Sequence, residues 1–500
     1  MSRLDVRFAL KALPKGIVSL FFVQIFSTLS FSVLYSTLVL FMTSELNFSP
    51  SLANSITGVF VAFNYALHLL GGYIGGRFIS NRALFAIGML AQVIGCVLLS
   101  RLNESLLYLG LGFFLTGSGL NVTCINCMLT QRFKPQDTRR ETAFLWNYAG
   151  MNIGFFVGFS LSGYFQLSHE YHQLFLLSSI GNLMAIFLCL YFWGALKDSN
   201  TVLSTLTGNA KKRSIAIGLS LVIGLPFILS QMIHFAEVAN KLVLVLGAVM
   251  LGVALWLAIR EPSKKAKDKI YAFGILMCVS TVFWMLYQIC PMGLTQFISN
   301  NVNREWMGVT IAPQWFQNIN TICIVIGGPL MSFVFNRLRA RGYDINIPTQ
   351  FTLALLLIGM AFVTLPLGIE RADVYGYVAP QWIVLSYVLQ SMGELLISPI
   401  GYAMVGALAP TRLQGLMMGM WMMTTGVGAT LSTYSSNWML AGTTSLLPAD
   451  TNPGYAHVFL QLGIIAIAAS LVLAIMIPKL RRFTQDDASD TKSEQELATA

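Results

Sequence analysis

The stretch Trp382-Ile-Val-Leu-Ser-Tyr-Val-Leu-Gln-Ser-Met-Gly-Glu-Leu-Leu-Ile-Ser-Pro-Ile-Gly-Tyr-Ala-Met-Val-Gly-Ala-Leu408 decides the fold class of this chain. It is apolar and long enough to cross a bilayer as one helix. Its only charged residue, Glu394, stands near the centre. A carboxylate inside a membrane is costly unless it faces a partner or a wet cavity, so Glu394 indicates a functional site. The alternative interpretation is a protonated glutamate that is hydrogen-bonded inside a helix bundle.

The composition of the whole chain extends this interpretation. The 500 residues are 55% hydrophobic and only 10% charged, which no soluble globular domain matches. We predict an all-α polytopic membrane protein whose apolar segments form about fourteen transmembrane helices. The predicted spans are 16–43, 52–77, 83–100, 105–131, 143–166, 172–195, 214–233, 240–259, 270–298, 317–336, 347–368, 380–408, 413–438 and 455–478.

The basic residues predict the orientation of these spans. The N-terminus, every second inter-span loop and the C-terminal tail hold 27 of the 31 Lys and Arg residues. The positive-inside rule therefore places both termini in the cytoplasm. The net charge of +10 follows from this topology, and we expect no nucleic-acid partner. Residues 1–15 carry four basic residues before an apolar run long enough to span, so we expect no cleavable signal peptide.

The cysteines predict no metal site. All seven lie within spans or at span ends, and Cys124-Ile-Asn-Cys127 has no matching histidine or second cysteine pair. We expect no cofactor and no catalytic residues, since no nucleophile–base pair or nucleotide motif is visible.

The order of the spans predicts four parts. Residues 1–200 form a six-helix bundle, 201–269 an inserted helix pair, 270–483 a second six-helix bundle and 484–500 a disordered tail. Two such halves with an inserted pair are the arrangement of the major facilitator fold. Small-residue spacings predict close helix crossings: Gly71/Gly75 and Gly72/Gly76 in the second span, and Gly150/Gly154/Gly158 in the fifth. Three prolines inside spans can bend or open helices: Pro291, Pro329 and Pro399.

Polar and aromatic pairs at helical spacing predict the faces that line a cavity. They are Tyr65 with His68, Tyr148 with Asn152, Trp284 with Tyr287, and Gln317 with Asn320. His68 is the only histidine in the middle of a span, and we prefer a neutral hydrogen-bonded ring over a titrating one. The aromatic pair has plain packing as an alternative interpretation.

Several motifs resemble those of the proton-coupled oligopeptide transporters, close to the bacterial di- and tripeptide permeases, along nearly the whole chain. They are Asn147-Tyr148-x-x-Met-Asn152-Ile-Gly154, Leu389-Gln-Ser-Met-Gly-Glu394-Leu-Leu-Ile-Ser398, Gln317-x-x-Asn320 and Gly-Met-Trp421-Met-Met-Thr-Thr. The resemblance implies a major facilitator fold that imports small peptides across the bacterial inner membrane as a monomer. It also implies that Glu394 and Asn320 receive the amino terminus of a peptide. The further substrate-binding residues that we expect are Tyr65, Tyr148, Asn152, Trp284, Gln317, Ser398 and Trp421.

The chain departs from that family at its charged positions. The family's first-span Glu-x-x-Glu-Arg is matched by Gln24-Ile-Phe-Ser27-Thr28, so both acids and the arginine are absent. Val122 replaces the fourth-span lysine, Val279 the ninth-span acid and Gly76 a loop aspartate. A proton symporter needs groups that titrate within the membrane. Coupling therefore runs through Glu394, with His68 as a second candidate relay, or transport is uncoupled. Loss of the arginine and lysine also fits a substrate that has no free C-terminal carboxylate.

Three functions compete at this point. The first is a transporter of di- and tripeptides or peptide-like molecules. The second is a facilitator or exchanger for an amine-bearing non-peptide or a metal-chelating peptide-like compound, which the absence of the family's arginine and lysine favours. The third is a membrane enzyme or sensor, for which the sequence offers no motif.

Overall fold

The computed structural model of the chain describes residues 14, 16–134, 137, 139–343, 345–443, 445 and 447–484. In these residues the predicted apolar spans form fourteen long helices. They are α1 (Ile17–Ser44), α2 (Pro50–Ile74), α3 (Asn81–Leu99), α4 (Glu104–Thr130), α5 (Arg139–Leu167), α6 (Tyr171–Tyr191), α7 (Gly208–His234), α8 (Ala236–Arg260), α9 (Lys264–Tyr287), α10 (Pro313–Ala340), α11 (Ile347–Ile369), α12 (Pro380–Leu408), α13 (Gln414–Met439) and α14 (Pro448–Thr484). Of the tail predicted at 484–500, residues 485–500 lie outside the described part.

Short elements connect some of these helices. A helical turn, Val202–Thr205, lies between α6 and α7, and a 3₁₀ turn, Thr411–Leu413, lies between α12 and α13. After α9 come a π-helical segment, Cys290–Leu294, a short helix, Thr295–Asn301, and an antiparallel hairpin of β1 (Glu305–Trp306) and β2 (Val309–Thr310).

The all-α membrane fold class is confirmed. Twelve helical stretches in the described residues are long and apolar enough to cross a membrane, judged by length and composition. The helices α5 and α13 are not among them because amides, hydroxyls and glycines interrupt their apolar residues. Membrane helices that face other helices tolerate such residues, since the polar groups find partners inside the bundle.

Short connections join most successive spans, so we take the long helices to alternate in direction, with their connections at two ends of the bundle. We call the end that carries the start of α1 and the connections after α2, α4 and α6 the basic face. The opposite end, with the connections after α1 and α3 and the β1–β2 pair, is the hairpin face.

Glycines on α5 allow α1 to approach closely, as predicted. A Cβ at Gly154 would lie 2.6 Å from the Ile25 carbonyl oxygen, and one at Gly150 would lie 2.9 Å from the Phe21 oxygen. The prediction for α2 is correct only in part. Gly71 packs on α4, but α2 ends at Ile74, and Gly76 lies in a turn with φ of +74°.

Pro291 marks a break after α9. The π-helical segment that contains it includes Met292, whose φ of −119° and ψ of −108° are not helical. Pro329 and Pro399 lie inside the continuous helices α10 and α12. Of the three prolines, Pro291 therefore interrupts its span most strongly.

The two halves meet through neutral side chains toward the hairpin face. Asn54 Nδ2 of α2 donates to Asn437 Oδ1 of α13 at 3.0 Å and lies 3.4 Å from Gln296 Oε1. On the other side of the bundle, Trp315 Nε1 of α10 donates to the carbonyl oxygen of Ser160 in α5 at 3.0 Å. We call these five residues the hairpin-face seal.

Candidate functional site

Glu394 lies at the midpoint of α12 and is held by two neighbouring helices. The Tyr287 hydroxyl at the end of α9 donates to Glu394 Oε2 at 2.8 Å. Asn320 Nδ2 of α10 donates to the same oxygen at 2.7 Å. Three helices of the second half therefore converge on one carboxylate oxygen.

Two acceptor atoms at this site are accessible and unpaired among the described residues. Neither Glu394 Oε1 nor Asn320 Oδ1 takes a hydrogen bond within the described part of the chain, and neither is among its buried unpaired atoms. Two adjacent acceptors, one of them on a carboxylate, suit a ligand that carries several N–H donors. A protonated amine has this property and the complementary charge.

The orientation of Asn320 is fixed by a second bond. Its Nδ2 also donates to Ser391 Oγ at 3.1 Å, and the Ser391 hydroxyl donates to the Tyr387 carbonyl oxygen at 2.6 Å. Both hydrogens of the amide are thus committed to α12, which turns Oδ1 away from that helix. Ser391 was not a predicted site residue, although it lies on the face of α12 that carries Glu394.

Four tyrosines lie in the region of Glu394: Tyr35, Tyr65, Tyr148 and Tyr287. Tyr35, Tyr148 and Tyr287 are each close enough to Glu394 to interact with it electrostatically, and Tyr65 is similarly close to Tyr35. The Tyr35 hydroxyl donates to Gln288 Oε1 at 2.9 Å, which connects α1 to the end of α9. Residues from both halves therefore surround Glu394.

The predicted pair on α5 divides into an exposed and a buried member. The Tyr148 side chain is 41% exposed and lies within electrostatic range of Glu394, whereas Asn152 is 4% exposed. Asn152 Nδ2 donates to the Tyr148 carbonyl oxygen at 2.9 Å, one turn back on the same helix. Of the two side chains, only that of Tyr148 is accessible to a ligand.

Trp284 and Ser398 lie near Glu394. The Trp284 ring is 5.4 Å from the Tyr287 ring, and its buried Nε1 has no partner among the described residues. Ser398 is half-buried one turn after Glu394 on α12. Both positions are compatible with the predicted site.

Gln317 and Trp421 point elsewhere. Gln317 is buried, and its Nε2 lies 3.4 Å from Thr295 Oγ1 of the short helix that follows α9. Trp421 is 5% exposed and packs on Phe351 with ring centroids 6.0 Å apart. Its ring also fills the space beside Gly401, two turns along α12 from Glu394. The structure does not bring Trp421 to the carboxylate, because its indole forms part of the core of the second half.

His68 is enclosed and has little polar contact. It is 7% exposed, its ring lies 5.6 Å from that of Tyr65, and its buried Nε2 has no hydrogen-bond partner among the described residues. The prediction of a hydrogen-bonded ring therefore fails at Nε2. Its carbonyl oxygen accepts a bond from Thr123 Oγ1 at 2.7 Å.

The first-span positions that depart from the family form a neutral cluster. Gln24 Nε2 donates to Thr28 Oγ1 at 2.8 Å, and Asn147 Nδ2 of α5 donates to Gln24 Oε1 at 3.2 Å. All three side chains are buried between α1 and α5. Their bonds are directed at one another, so the cluster holds two helices together.

Charge is concentrated at one point of this interior. In the described ranges, Glu394 is the only Asp, Glu, Lys or Arg that lies more than two turns from the end of its helix. No group of three or more potential metal-ligating side chains occurs in the same residues. The centre of the bundle therefore presents one carboxyl group among neutral amides and phenols.

Comparisons with known proteins place these features in a family. A model of the POT family matches residues 78–452. Dipeptide and tripeptide permease B of Salmonella typhimurium is 30% identical over 471 residues, which cover 94% of this chain and 96% of that protein. Dipeptide and tripeptide permease A of Escherichia coli is 28% identical and covers 97% of this chain and 96% of its own length.

Solved structures show the same fold. A crystal structure of a peptide transporter POT in complex with sulfate superposes with a TM-score of 0.83 at 22% identity, covering 95% of this chain and 96% of that one. A POT family transporter in complex with 5-aminolevulinic acid gives a TM-score of 0.80 at 21% identity, covering 93% and 97%.

Proposed function

The chain belongs to the POT family, and on that premise we propose that it imports small peptides or peptide-like amines across the bacterial inner membrane by alternating access. Membership makes it a multi-pass membrane transporter and excludes an enzyme. The names of its relatives support peptides as the substrate class.

The observation that carries this proposal is the pair of free acceptors at Glu394 Oε1 and Asn320 Oδ1. A substrate ammonium between them forms charge-assisted hydrogen bonds, which are stronger away from water. We assign Tyr65, Tyr148, Trp284 and Ser398 to the walls of the same pocket. Asn152, Gln317 and Trp421 then act behind the walls by fixing α5, α10 and α12.

The hairpin-face seal supports an assignment of conformation. The hydrogen bonds described between the two halves lie between the middle of the bundle and the hairpin face. With the basic face in the cytoplasm, the seal closes the periplasmic side of the pocket, and the chain is in an inward-facing state. Release of this seal and closure at the basic face would complete the transport cycle.

The proposed coupling is atypical or absent. In the described residues Glu394 is the one central carboxylate available to both a proton and a substrate amine, so the two ligands compete for it. Competition at one site favours exchange over symport. His68 is the only further candidate relay, but it is enclosed and pairs with no acidic side chain in the described residues.

Proteoliposomes that contain the full chain test this function through uptake of labelled L-alanyl-L-alanine. Unlabelled peptides with a free amino terminus should compete with uptake, and N-acetylated peptides should not, because acetylation removes the ammonium. Failure of all free-amine peptides to bind or compete would contradict the proposal. Competition by the N-acetylated peptide would contradict the assigned role of Glu394.

A second candidate is a facilitator or exchanger for an amine that is not a peptide. The observation that favours it is the absence of a central lysine or arginine in the described residues, since a peptide also carries a carboxylate. Uptake of labelled small amines in the same vesicles distinguishes the two candidates.

A further inference from the structure

We infer that the preferred substrate is a monocation, with an ammonium at one end and an uncharged amide, ester or similar group at the other. The inference rests on the proposed function, because it concerns the same pocket. It adds a requirement at the end of the substrate that Glu394 does not hold.

Charge complementarity is the first argument. The pocket contributes one carboxyl group, and the described helices carry no lysine or arginine more than two turns from a helix end. An ammonium alone neutralises Glu394. A zwitterionic peptide would add a second carboxylate with no cation to pair with it, and an unpaired ion in a poorly solvated site is costly.

The neutral side chains of the first half do not replace the missing cation. Gln24, Thr28 and Asn147 are each at most 7% exposed; Gln24 donates to Thr28 Oγ1, and Asn147 donates to Gln24 Oε1. Their burial between α1 and α5 keeps them from a substrate carboxylate. His68, the remaining base, is enclosed and 7% exposed.

The accessible aromatic side chains suit a substrate whose second end is uncharged. Tyr148 combines an apolar ring with a single hydroxyl; it is 41% exposed and lies within electrostatic range of Glu394. One hydroxyl satisfies an amide or ester carbonyl oxygen, whereas an ionised carboxylate requires several donors or a cation. Aromatic faces near the carboxylate also stabilise a cation by cation–π attraction.

The test is a binding series on the purified full chain. The probes are L-alanyl-L-alanine, its C-terminal amide, and the N-acetylated form of that amide, measured by titration calorimetry and by thermal unfolding. We expect the amide to bind at least tenfold more tightly than the free acid, and the N-acetylated amide to show no binding. The Glu394→Gln variant, run with the same probes, identifies the signal that comes from this pocket.

Each outcome has a definite meaning. Binding of the free acid as tight as that of the amide overturns the inference but leaves the proposed function intact, provided that N-acetylation abolishes binding. Binding of the N-acetylated amide, or of none of the probes, overturns both. A preference for the amide that persists in His68→Ala excludes the imidazole as its cause and supports the inference.

Discussion

Glu394 uses its two oxygens for different purposes. Tyr287 and Asn320 hold Oε2 at 2.8 and 2.7 Å, which fixes the plane of the carboxylate, and Oε1 is left for a ligand. An acceptor that is already oriented loses little freedom when a substrate binds, and this preorganisation increases affinity.

Removal of the Tyr287 hydroxyl tests this orientation. A hydrogen bond to a charged group contributes ~1.5 kcal/mol or more, so Tyr287→Phe should weaken substrate binding about tenfold. The matched control is Tyr455→Phe, because the buried Tyr455 hydroxyl has no partner among the described residues. Calorimetry should show unchanged affinity in the control, and equal affinities in both variants would refute the role of Tyr287.

Individual site residues could be predicted from sequence to different degrees. Glu394 was evident because a charge in an apolar span has few purposes other than function. Tyr287 was noted only as a partner of Trp284, since aromatic residues at helical spacing usually pack. Trp421 came from a motif that gives no orientation, and its indole points into the core instead.

At the scale of helices, the close approach of α5 to α1 positions Tyr148. A Cβ at Gly154 would lie 2.6 Å from a main-chain oxygen of α1, which cannot move without displacing the helix. Gly154→Ala should therefore destabilise the protein by roughly 1–3 kcal/mol and reduce binding. The control Gly252→Ala on α8, where a Cβ meets nothing within 4 Å, should be neutral or slightly stabilising. Thermal unfolding in detergent compares the two, and equal unfolding temperatures would contradict this packing.

The positions of the helices were predictable because the apolar length that a bilayer requires is visible in the chain. The break after α9 was less predictable. Pro291 suggests a bend, but the non-helical backbone of Met292 depends on packing, which hydropathy does not report. The pairings that form the hairpin-face seal join residues 155 to 383 positions apart, and no local pattern predicts them.

For the whole molecule, the seal sets the balance between inward- and outward-facing states. Asn54→Leu removes its bond to Asn437, and a loss of ~1 kcal/mol would shift this equilibrium about fivefold toward the outward-facing state.

Cys290, which is 6% exposed and lies between the pocket and the hairpin face, is a native probe of this shift. The background for this test is a chain in which the other accessible cysteines, Cys127, Cys278 and Cys323, are replaced by alanine. In that background, Asn54→Leu should accelerate alkylation of Cys290 by a membrane-impermeant reagent added from the periplasmic side. Asn209→Leu in the exposed first turn of α7 is the control, and equal rates in the two variants would contradict the assignment of the seal.

Energy coupling is also a property of the whole molecule. With one central carboxylate shared by proton and substrate, neither an inward pH gradient nor a negative-inside potential should drive accumulation of zwitterionic L-alanyl-L-alanine in proteoliposomes. A membrane potential of 100 mV provides ~2.3 kcal/mol per charge, which a coupled carrier would convert into a clear gradient. Strong gradient-driven accumulation that survives His68→Ala would show that another proton path exists.

The most direct test of the account is substrate-induced thermal stabilisation of Glu394→Gln. Loss of one member of a buried charge pair costs ~2 kcal/mol or more, so binding of a free-amine peptide or its amide should weaken at least about 30-fold. The control Glu237→Gln, at an exposed position in the first turn of α8, should bind like the parent chain. The account predicts a folded Glu394→Gln protein whose unfolding temperature no longer rises with substrate. A Gln variant that is stabilised as much as the parent would contradict it.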